Sequence, residues 1–520
     1  MKLKKLEVSG SEAEALLERV KDNMDQEDYQ IIKGLVDTHL LLGQAVSEKK
    51  SSISRLLKMI FGAKTEKTRT ICKNSKKEKT EKGTTPQGHG KNSANDYVGA
   101  KTVNVDHTAL QHCGPCPLCQ DGRLYRQTVP GVIVRINGAA PLQAIVYELE
   151  KLRCNICGKV FTADLPVEAG AKKYDETASA MLAVLRYGSG LPLHRIARLQ
   201  AALGIPLATS TAWDVLEQSA DKIHPVFPEL IRHAAQADIV HNDDTNMKVL
   251  SLIKENKDKT RKASRTGVFT TGILSIHNGR KIALFFTGRN HAGENMTKVL
   301  AARQHGLDPP IQMCDALAQN TSDEFQSILA TCLVHGRRNF VNVADNFPDE
   351  CLHVLEMIGK VYQHEAIVKE QNMTAIQRLQ YHQANSEPLM GELHVWMKVQ
   401  LDEKKVEPNS GLGKAIKYML NHWQQLTLFL RVEKAPLDNN ICERALKMAI
   451  SHRKNSLFYK TEHGAYIGDM FMSIIHTCAL SNVNPFEYLT ALQKNSSALF
   501  ANPSLWLPWN YKENFTGPVY

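Results

Sequence analysis

Three carboxylates and one group of thiols are the residues whose types and spacing could do chemistry in this chain. Asp243 follows the apolar start of Ile239-Val-His-Asn-Asp-Asp-Thr245, and Asp315 closes Ile311-Gln-Met-Cys-Asp315. Glu443 lies within Leu437-Asp-Asn-Asn-Ile-Cys-Glu-Arg-Ala-Leu446. Two-metal phosphoryl transfer needs carboxylates that converge on ions about 3.5–4 Å apart, one ion activating the attacking oxygen and the other stabilising the leaving one. Hard Mg²⁺, or Mn²⁺ in its place, takes oxygen ligands, so Asp243, Asp315 and Glu443 are the candidate metal-binding and catalytic set. Asp244 is also acidic, but strand alternation sends adjacent side chains to opposite faces, so only one of the pair serves as the ligand. A helix start signal at Asp438 or Asn439 puts Asn439 and Asn440 on the face of Glu443, one turn earlier. Asn440 is therefore a candidate supporting residue.

The thiols suggest a different metal. Cys116-Pro-Leu-Cys119 and Cys154-Asn-Ile-Cys157-Gly158 form two C-x2-C knuckles, and four thiolates so spaced suit tetrahedral Zn²⁺. Cys113 with Cys116 offers a second register. Cys332 and His335 form a C-x2-H pair with only two candidate ligands, which reads as a packing element supporting the carboxylate site and not as a zinc site. The chain has eleven cysteines, an odd number, and Cys314, Cys351 and Cys478 stand singly in apolar stretches. Free thiols in a reducing compartment are expected, not a disulfide framework.

Elements must carry these residues into one place. Asp238–His241, Gly267–Ile276 and Lys281–Thr287 read as strands, followed by a helix Gly293–Arg303, a strand Ile311–Cys314, a helix Thr321–Leu329 and a strand Thr331–Val334. Three antiparallel strands followed by alternating helix and strand predict an α/β sheet of ribonuclease H type. Residues 236–478 form that core, split before Glu443 by a helical insertion at about 349–430, and 479–520 form a C-terminal segment. Ahead of it the sequence predicts an N-terminal helical or coiled-coil segment (1–62), a basic disordered linker (63–102) and a cysteine module (103–166). The module's strand-like runs are Val132–Ile136, Ile145–Leu149 and Lys159–Phe161. In the helical region 172–235, a helix His194–Ala202, a Gly204-Ile-Pro turn and a second helix capped by Thr209 or Ser210 read as a helix-turn-helix.

Composition narrows the class. Hydrophobic residues make up 43% and charged residues 23%, the profile of a globular protein. No run of about 18 apolar residues is present, and Met1–Lys5 leads into polar sequence with no apolar signal region, so a cytoplasmic protein is expected. The net charge of +10 suits a polyanionic partner. Arg337, Arg338, Arg444, Arg453 and Lys454 are candidate phosphate contacts.

Several stretches resemble one family in order along nearly the whole chain. They are His241-Asn-Asp-Asp-Thr245, Cys332-Leu-Val-His-Gly-Arg-Arg-Asn-Phe340, Asp438-Asn-Asn-Ile-Cys-Glu-Arg-Ala-Leu446, Arg453-Lys-Asn-Ser-Leu-Phe458, Asn484-Pro-Phe-Glu-Tyr-Leu489 and Leu507-Pro-Trp-Asn510. Together they resemble the transposases of the insertion-sequence-66 family. The family's first carboxylate opens an Asp-Glu-Thr motif and maps onto Asp243, with Asp244 standing where the family has Glu. The resemblance implies a DDE transposase that cuts transposon ends and transfers the exposed 3′-hydroxyl into target DNA, with no covalent protein–DNA intermediate. It also implies a zinc-binding segment, double-stranded DNA as partner, a homodimer or larger assembly on DNA, element-encoded accessory proteins, and a place at the bacterial nucleoid. Two rival readings are a ribonuclease H-like nuclease without strand transfer and a catalytically silent DNA-binding protein derived from a transposase.

Overall fold

The computed structural model describes residues 17–21, 25–36, scattered positions between 105 and 140, then 141–153, 159–257 and 265–514. Residues 17–21 and 26–36 are helical. The basic linker, Cys154 and Cys157 lie outside the described residues. The chain divides into two units, 76–141 and the remainder. Among the described residues no helix is long and apolar enough to cross a membrane.

In the larger unit a short antiparallel pair, β1 (Lys151–Arg153) and β2 (Val160–Thr162), precedes four helices. These are α1 (Glu176–Ala183), α2 (Leu193–Ala202), α3 (Thr209–Ile223) and α4 (Val226–Ala234). The runs 132–136 and 145–149, expected as strands, pair with nothing among the described residues. Their apolar side chains are exposed (Ile133 74%, Val146 83%), so no buried face is present to fix a strand register. The cap of α3 is Ala208, not Thr209 or Ser210.

A five-stranded mixed sheet follows, built from β3 (Ile239–Asn246), β4 (Phe269–His277), β5 (Arg280–Gly288), β6 (Ile311–Cys314) and β7 (Ile328–Thr331). Its order is β5-β4-β3-β6-β7. Neighbours are antiparallel from β5 to β3 and parallel from β3 to β7, an arrangement consistent with a ribonuclease H-like core. Asn278 and Gly279, both at positive φ (49° and 77°), close the β4–β5 hairpin as the twist of paired strands requires.

Helix α5 (Leu250–Lys257) follows β3, and α6 (Ala292–Leu300) crosses from β5 to β6. The segment 321–329, expected as a helix, is not one. A 3-10 turn at Ala318–Asn320 and a loop lead directly into β7, and α7 (Leu333–Val343) begins where a strand was expected to continue. Packing explains the difference. The start of α6 presses Gly293 against Thr321 so closely that a Cβ would sit 2.2 Å from its carbonyl oxygen. The insertion is helical as read: α8 (Pro348–Glu370), α9 (Ala375–Asn385), α10 (Glu387–Asp402) and α11 (Gly411–Asn421). The chain then returns through α12 (Asn440–Ser456), α13 (Glu462–Leu480), α14 (Pro485–Lys494) and α15 (Ser496–Ala501).

Two apolar cores meet at the sheet. One joins Val240, Ile273, Leu274 and Phe285 to α1, α3, α4, α13 and α14. The other joins Ile239, Met313 and Ala330 to α7, α8, α10 and α11. The edge strand β5 is closed by α13. Backbone N–H groups of Ala283, Phe285 and Thr287 donate to Thr477 Oγ1 (3.1 Å), Ser473 Oγ (2.9 Å) and Asp469 Oδ2 (2.6 Å). Four helical residues rise about 6 Å and two strand residues about 6.7 Å, so an i, i+4 stripe of acceptors tracks alternate N–H groups of a strand. The exposed edge, an aggregation hazard in an open sheet, is thereby satisfied.

Candidate active site

Strand alternation decides how the two adjacent aspartates are used. On one face of β3, Asp244 is fully engaged: Thr271 Oγ1 donates to its Oδ1 (2.6 Å), and the Ala292 N–H donates to Oδ2 (3.0 Å) beside His291 Nδ1 (3.1 Å). It holds the N-terminus of α6, where a carboxylate is favoured. On the other face Asp243 keeps its place by accepting the Asp244 N–H at Oδ1 (2.8 Å), and its Oδ2 carries no hydrogen bond. Of the pair, Asp243 is the one left open.

Parallel pairing brings Asp315 beside it. The register aligns Ile239 with Ile311 and His241 with Met313, so one further step sets Asp243 against Asp315 on the same face of adjacent strands. Asp315 is held in the same way as Asp243. Its Oδ1 accepts the Leu317 N–H (3.1 Å) and the Asn320 side-chain amide, leaving Oδ2 free. Asn320 is itself fixed by a buried network: its carbonyl accepts from Asn242 Nδ2 (2.8 Å) and Gln312 Nε2 (2.9 Å). Gln312 also donates to Asn242 Oδ1 (3.0 Å).

Glu443 reaches the site on the first turn of α12, which packs across β3 and β4. Two features seat that helix. Gly272, paired with Asp243 across the β3–β4 ladder, lets Leu446 approach to where a Cβ would be 2.9 Å away, and Cys442 Sγ donates to the Gly272 carbonyl (3.3 Å). Asn439, fully buried at the helix cap, donates through Nδ2 to the Asn242 carbonyl (3.0 Å) and meets His241 Nδ1 with Oδ1 (3.0 Å). Its N–H donates to Cys332 Sγ (3.3 Å). The Asn242 carbonyl fixes the amide orientation, so Oδ1 must accept, and His241 carries its proton on Nδ1. Burial holds the His241 imidazole down at about 4, hence neutral.

The three carboxylates do not close on one point: among the described residues the group whose ligand atoms lie within 4.8 Å of one another is Cys332, His335 and Glu443. Burial pushes the Asp243 carboxyl up to about 7 against the opposing Asp244 N–H, and the charges of Asp315, Glu443 and Asp244 push it the same way. A divalent cation would relieve that repulsion, and the unbonded Oδ2 atoms of Asp243 and Asp315 are oxygen donors of the kind a hard cation takes. His335, on the first turn of α7, faces Glu443 across 3.9 Å, and Cys332 lies with them. Asn440, expected to support the site, is not the contact-making asparagine. Its N–H donates to Asp438 Oδ1 (3.1 Å), and the buried clamp is Asn439.

The basic residues fall into two groups. Arg453 bonds the Thr245 hydroxyl (3.0 Å) and the Asn246 carbonyl, tying α12 to the end of β3. Arg444 and Lys454 are exposed on α12, with Lys447 between them on the same helical face, a stripe the sequence reading missed. Arg337 and Arg338 are half-buried on α7. In the smaller unit, hydrogen bonds from the backbone N–H groups of Cys119 and Leu118 and from the Cys119 thiol hold the Cys116 thiol below its usual range.

A mixed sheet with aspartates at the ends of its central strands and a glutamate on a returning helix defines an α/β protein whose sheet is consistent with a ribonuclease H-like core. Residues 172–467 match the family described as "Transposase IS66 family", and the chain belongs to it. It is similar to the uncharacterized proteins y4hP and y4jD of Sinorhizobium fredii (strain NBRC 101917 / NGR234). Identity to y4hP is 24%, covering 70% of this chain and 67% of the relative. Identity to y4jD is 28%, covering 65% and 66%. The chain thus spans about two thirds of the length of these curated relatives.

Two outcomes follow from the geometry. Asn439→Ala strips a buried carbonyl and a buried imidazole of their partner and should cost about 2 kcal/mol in chemical denaturation; a neutral substitution would show that α12 is seated by packing alone. Asp243 has a raised folded pKa, so its charge destabilises the metal-free fold increasingly as pH rises from about 4 through 7. Asp243→Asn should therefore be about 1–3 kcal/mol more stable than wild type at pH 8, the difference vanishing towards pH 4. Equal stability at pH 8 would contradict the repulsion.

Proposed function

We propose that this chain is a DDE transposase in which Asp243, Asp315 and Glu443 hold Mg²⁺ or Mn²⁺, cut the ends of a transposon and join the freed 3′-hydroxyl to target DNA. The observation that carries the reading is the placing of Asp243 and Asp315 side by side on neighbouring strands, each keeping an oxygen free, with Glu443 on the helix that packs across them. When bound, the cations supply charge neutralisation for the phosphoryl group and lower the pKa of the attacking oxygen's proton.

The chain's own residues do the positioning. Asn320 and the Leu317 N–H fix the Asp315 carboxylate, the Asp244 N–H fixes Asp243, and Asn439 fixes the turn that carries Glu443. Such fixed groups cost no reorganisation when charge develops in the transition state. Arg444, Lys447 and Lys454 line an exposed helical face leading away from the site, suited to a phosphate backbone. Arg337 and Arg338, half-buried on α7, are further candidates for phosphate contact.

We assign Zn²⁺ to the cysteine segment on the knuckle formed by Cys116 and Cys119. The α2–α3 pair, joined through Gly204 at φ 78°, is the proposed DNA-reading element. Thr209, Ser210 and Asp214 are exposed on the first turns of α3, whereas Ala212 is buried and cannot face a groove. The working form is a homodimer or larger assembly on two DNA ends, with accessory proteins of the same element as partners.

The test is an assay of the purified full chain on DNA carrying the ends of its own element. Cleavage and joined products should depend on Mg²⁺ or Mn²⁺, and Asp243→Asn should lower both by at least about a thousand-fold while DNA binding persists. Metal-dependent nicking without joined products would replace the transposase reading by a nuclease. Binding with no cleavage in any divalent cation would leave a DNA-binding protein only.

A further inference from the structure

Cys332 and His335 offer too few ligands for a metal by themselves, but the fold adds a third from more than a hundred residues away. Cys332 caps α7 and His335 lies on its first turn, while Glu443 lies on the first turn of α12. One ligand atom from each of the three lies within 4.8 Å of the others. His335 Nε2 faces Glu443 Oε1 at 3.9 Å. Both His335 Nδ1 and Glu443 Oε1 are buried without a hydrogen-bond partner, which is unusual for polar atoms that nothing is meant to meet.

Burial pushes the Cys332 thiol up to about 11, so a cation there must displace a proton, and backbone N–H groups oppose that burial. Two helix N-termini converge here, and each stabilises a thiolate or carboxylate near its first turn. The Asn439 N–H donates to Cys332 Sγ, as N–H groups do to the sulfurs of metal-bound cysteines. A thiolate, an imidazole and a carboxylate with a fourth position open is a three-ligand pattern typical of Zn²⁺ and foreign to Mg²⁺, which avoids sulfur.

We propose that Cys332, His335 and Glu443 form a second cation site, selective for soft or borderline divalent ions of the Zn²⁺ class, that competes with the hard-cation site for Glu443. Binding forms metal–sulfur, metal–nitrogen and metal–oxygen bonds and releases the Cys332 thiol proton to solvent, with no change of oxidation state. Glu443 already lies with Cys332 and His335 in this structure, so Zn²⁺ held there keeps its carboxylate from moving to Asp243 and Asp315 and inhibits DNA cleavage. The inhibitory consequence rests on the transposase reading; the existence of the site does not.

The test counts zinc on the full chain by competition with a chromophoric chelator, in the absence of DNA. Wild type should bind one equivalent more than His335→Ala or Cys332→Ser, and that equivalent should weaken more than about a hundred-fold in either variant. Cys116→Ser should remove a different equivalent and leave this one. His335 is partly exposed, so His335→Ala is the deciding variant even if loss of the buried Cys332 thiol perturbs the fold. Equal zinc counts in wild type and His335→Ala overturn the proposal, whether or not the chain cleaves DNA. A lost equivalent in a chain that cleaves no DNA upholds the site and removes only the functional reading. In a chain that does cleave, zinc should inhibit wild type at concentrations at least ten-fold below those needed for His335→Ala.

Discussion

A helix can share a cation with a sheet only if its first turn is held against the strand ends, and here one buried amide does the holding. Asn439 spends its side chain on β3 and its N–H on Cys332, so the cap of α12 is fastened to the central strand and to the start of α7 together. Everything the carboxylates could do depends on that fastening. The insertion contributes to it, because Arg378 of α9 donates to the Ala435 carbonyl just before the turn (2.9 Å). Gly272 supplies the complementary condition by leaving room for Leu446 against the sheet.

The faces of β3 divide the labour between stability and chemistry. One face carries Asn242 and Asp244, whose polar atoms are consumed by Asn320, Gln312, Thr271 and the start of α6. The opposite face carries His241 and Asp243 beneath α12. A buried polar network of this kind tolerates little disturbance, since each unsatisfied member costs about 1–3 kcal/mol. Asp243 and Asp315 keep unbonded oxygens beside that network, and the burial and repulsion that raise the Asp243 pKa are a cost the fold carries.

Much of this was legible in the sequence. The strands β3, β4 and β5 announce themselves through β-branched runs and an Asn-Gly turn, and Asp243 and Asp315 lie side by side because β6 takes its place next to β3. Period-two alternation shows that only one of Asp243 and Asp244 can face the site, and the family resemblance selects Asp243. Three things were not legible, each because tertiary contacts decide them. The loop after Asn320 has helical spacing, but its first residue, Thr321, is extended and packed against the start of α6. Asn439 and Asn440 are identical in type, and only the seat on β3 selects the former. The meeting of Cys332, His335 and Glu443 joins segments separated by the whole insertion, which no local pattern can reveal. The family's extent, residues 172–467, covers the sheet, the insertion and all three carboxylates.

Anomalous diffraction from crystals of the protein soaked in Mn²⁺ addresses the central claim most directly. The account predicts a peak within about 2.0–2.6 Å of oxygens from both Asp243 and Asp315, with Glu443 drawn towards it. Manganese bound elsewhere, with these two carboxylates still bare at saturating concentration, would contradict it.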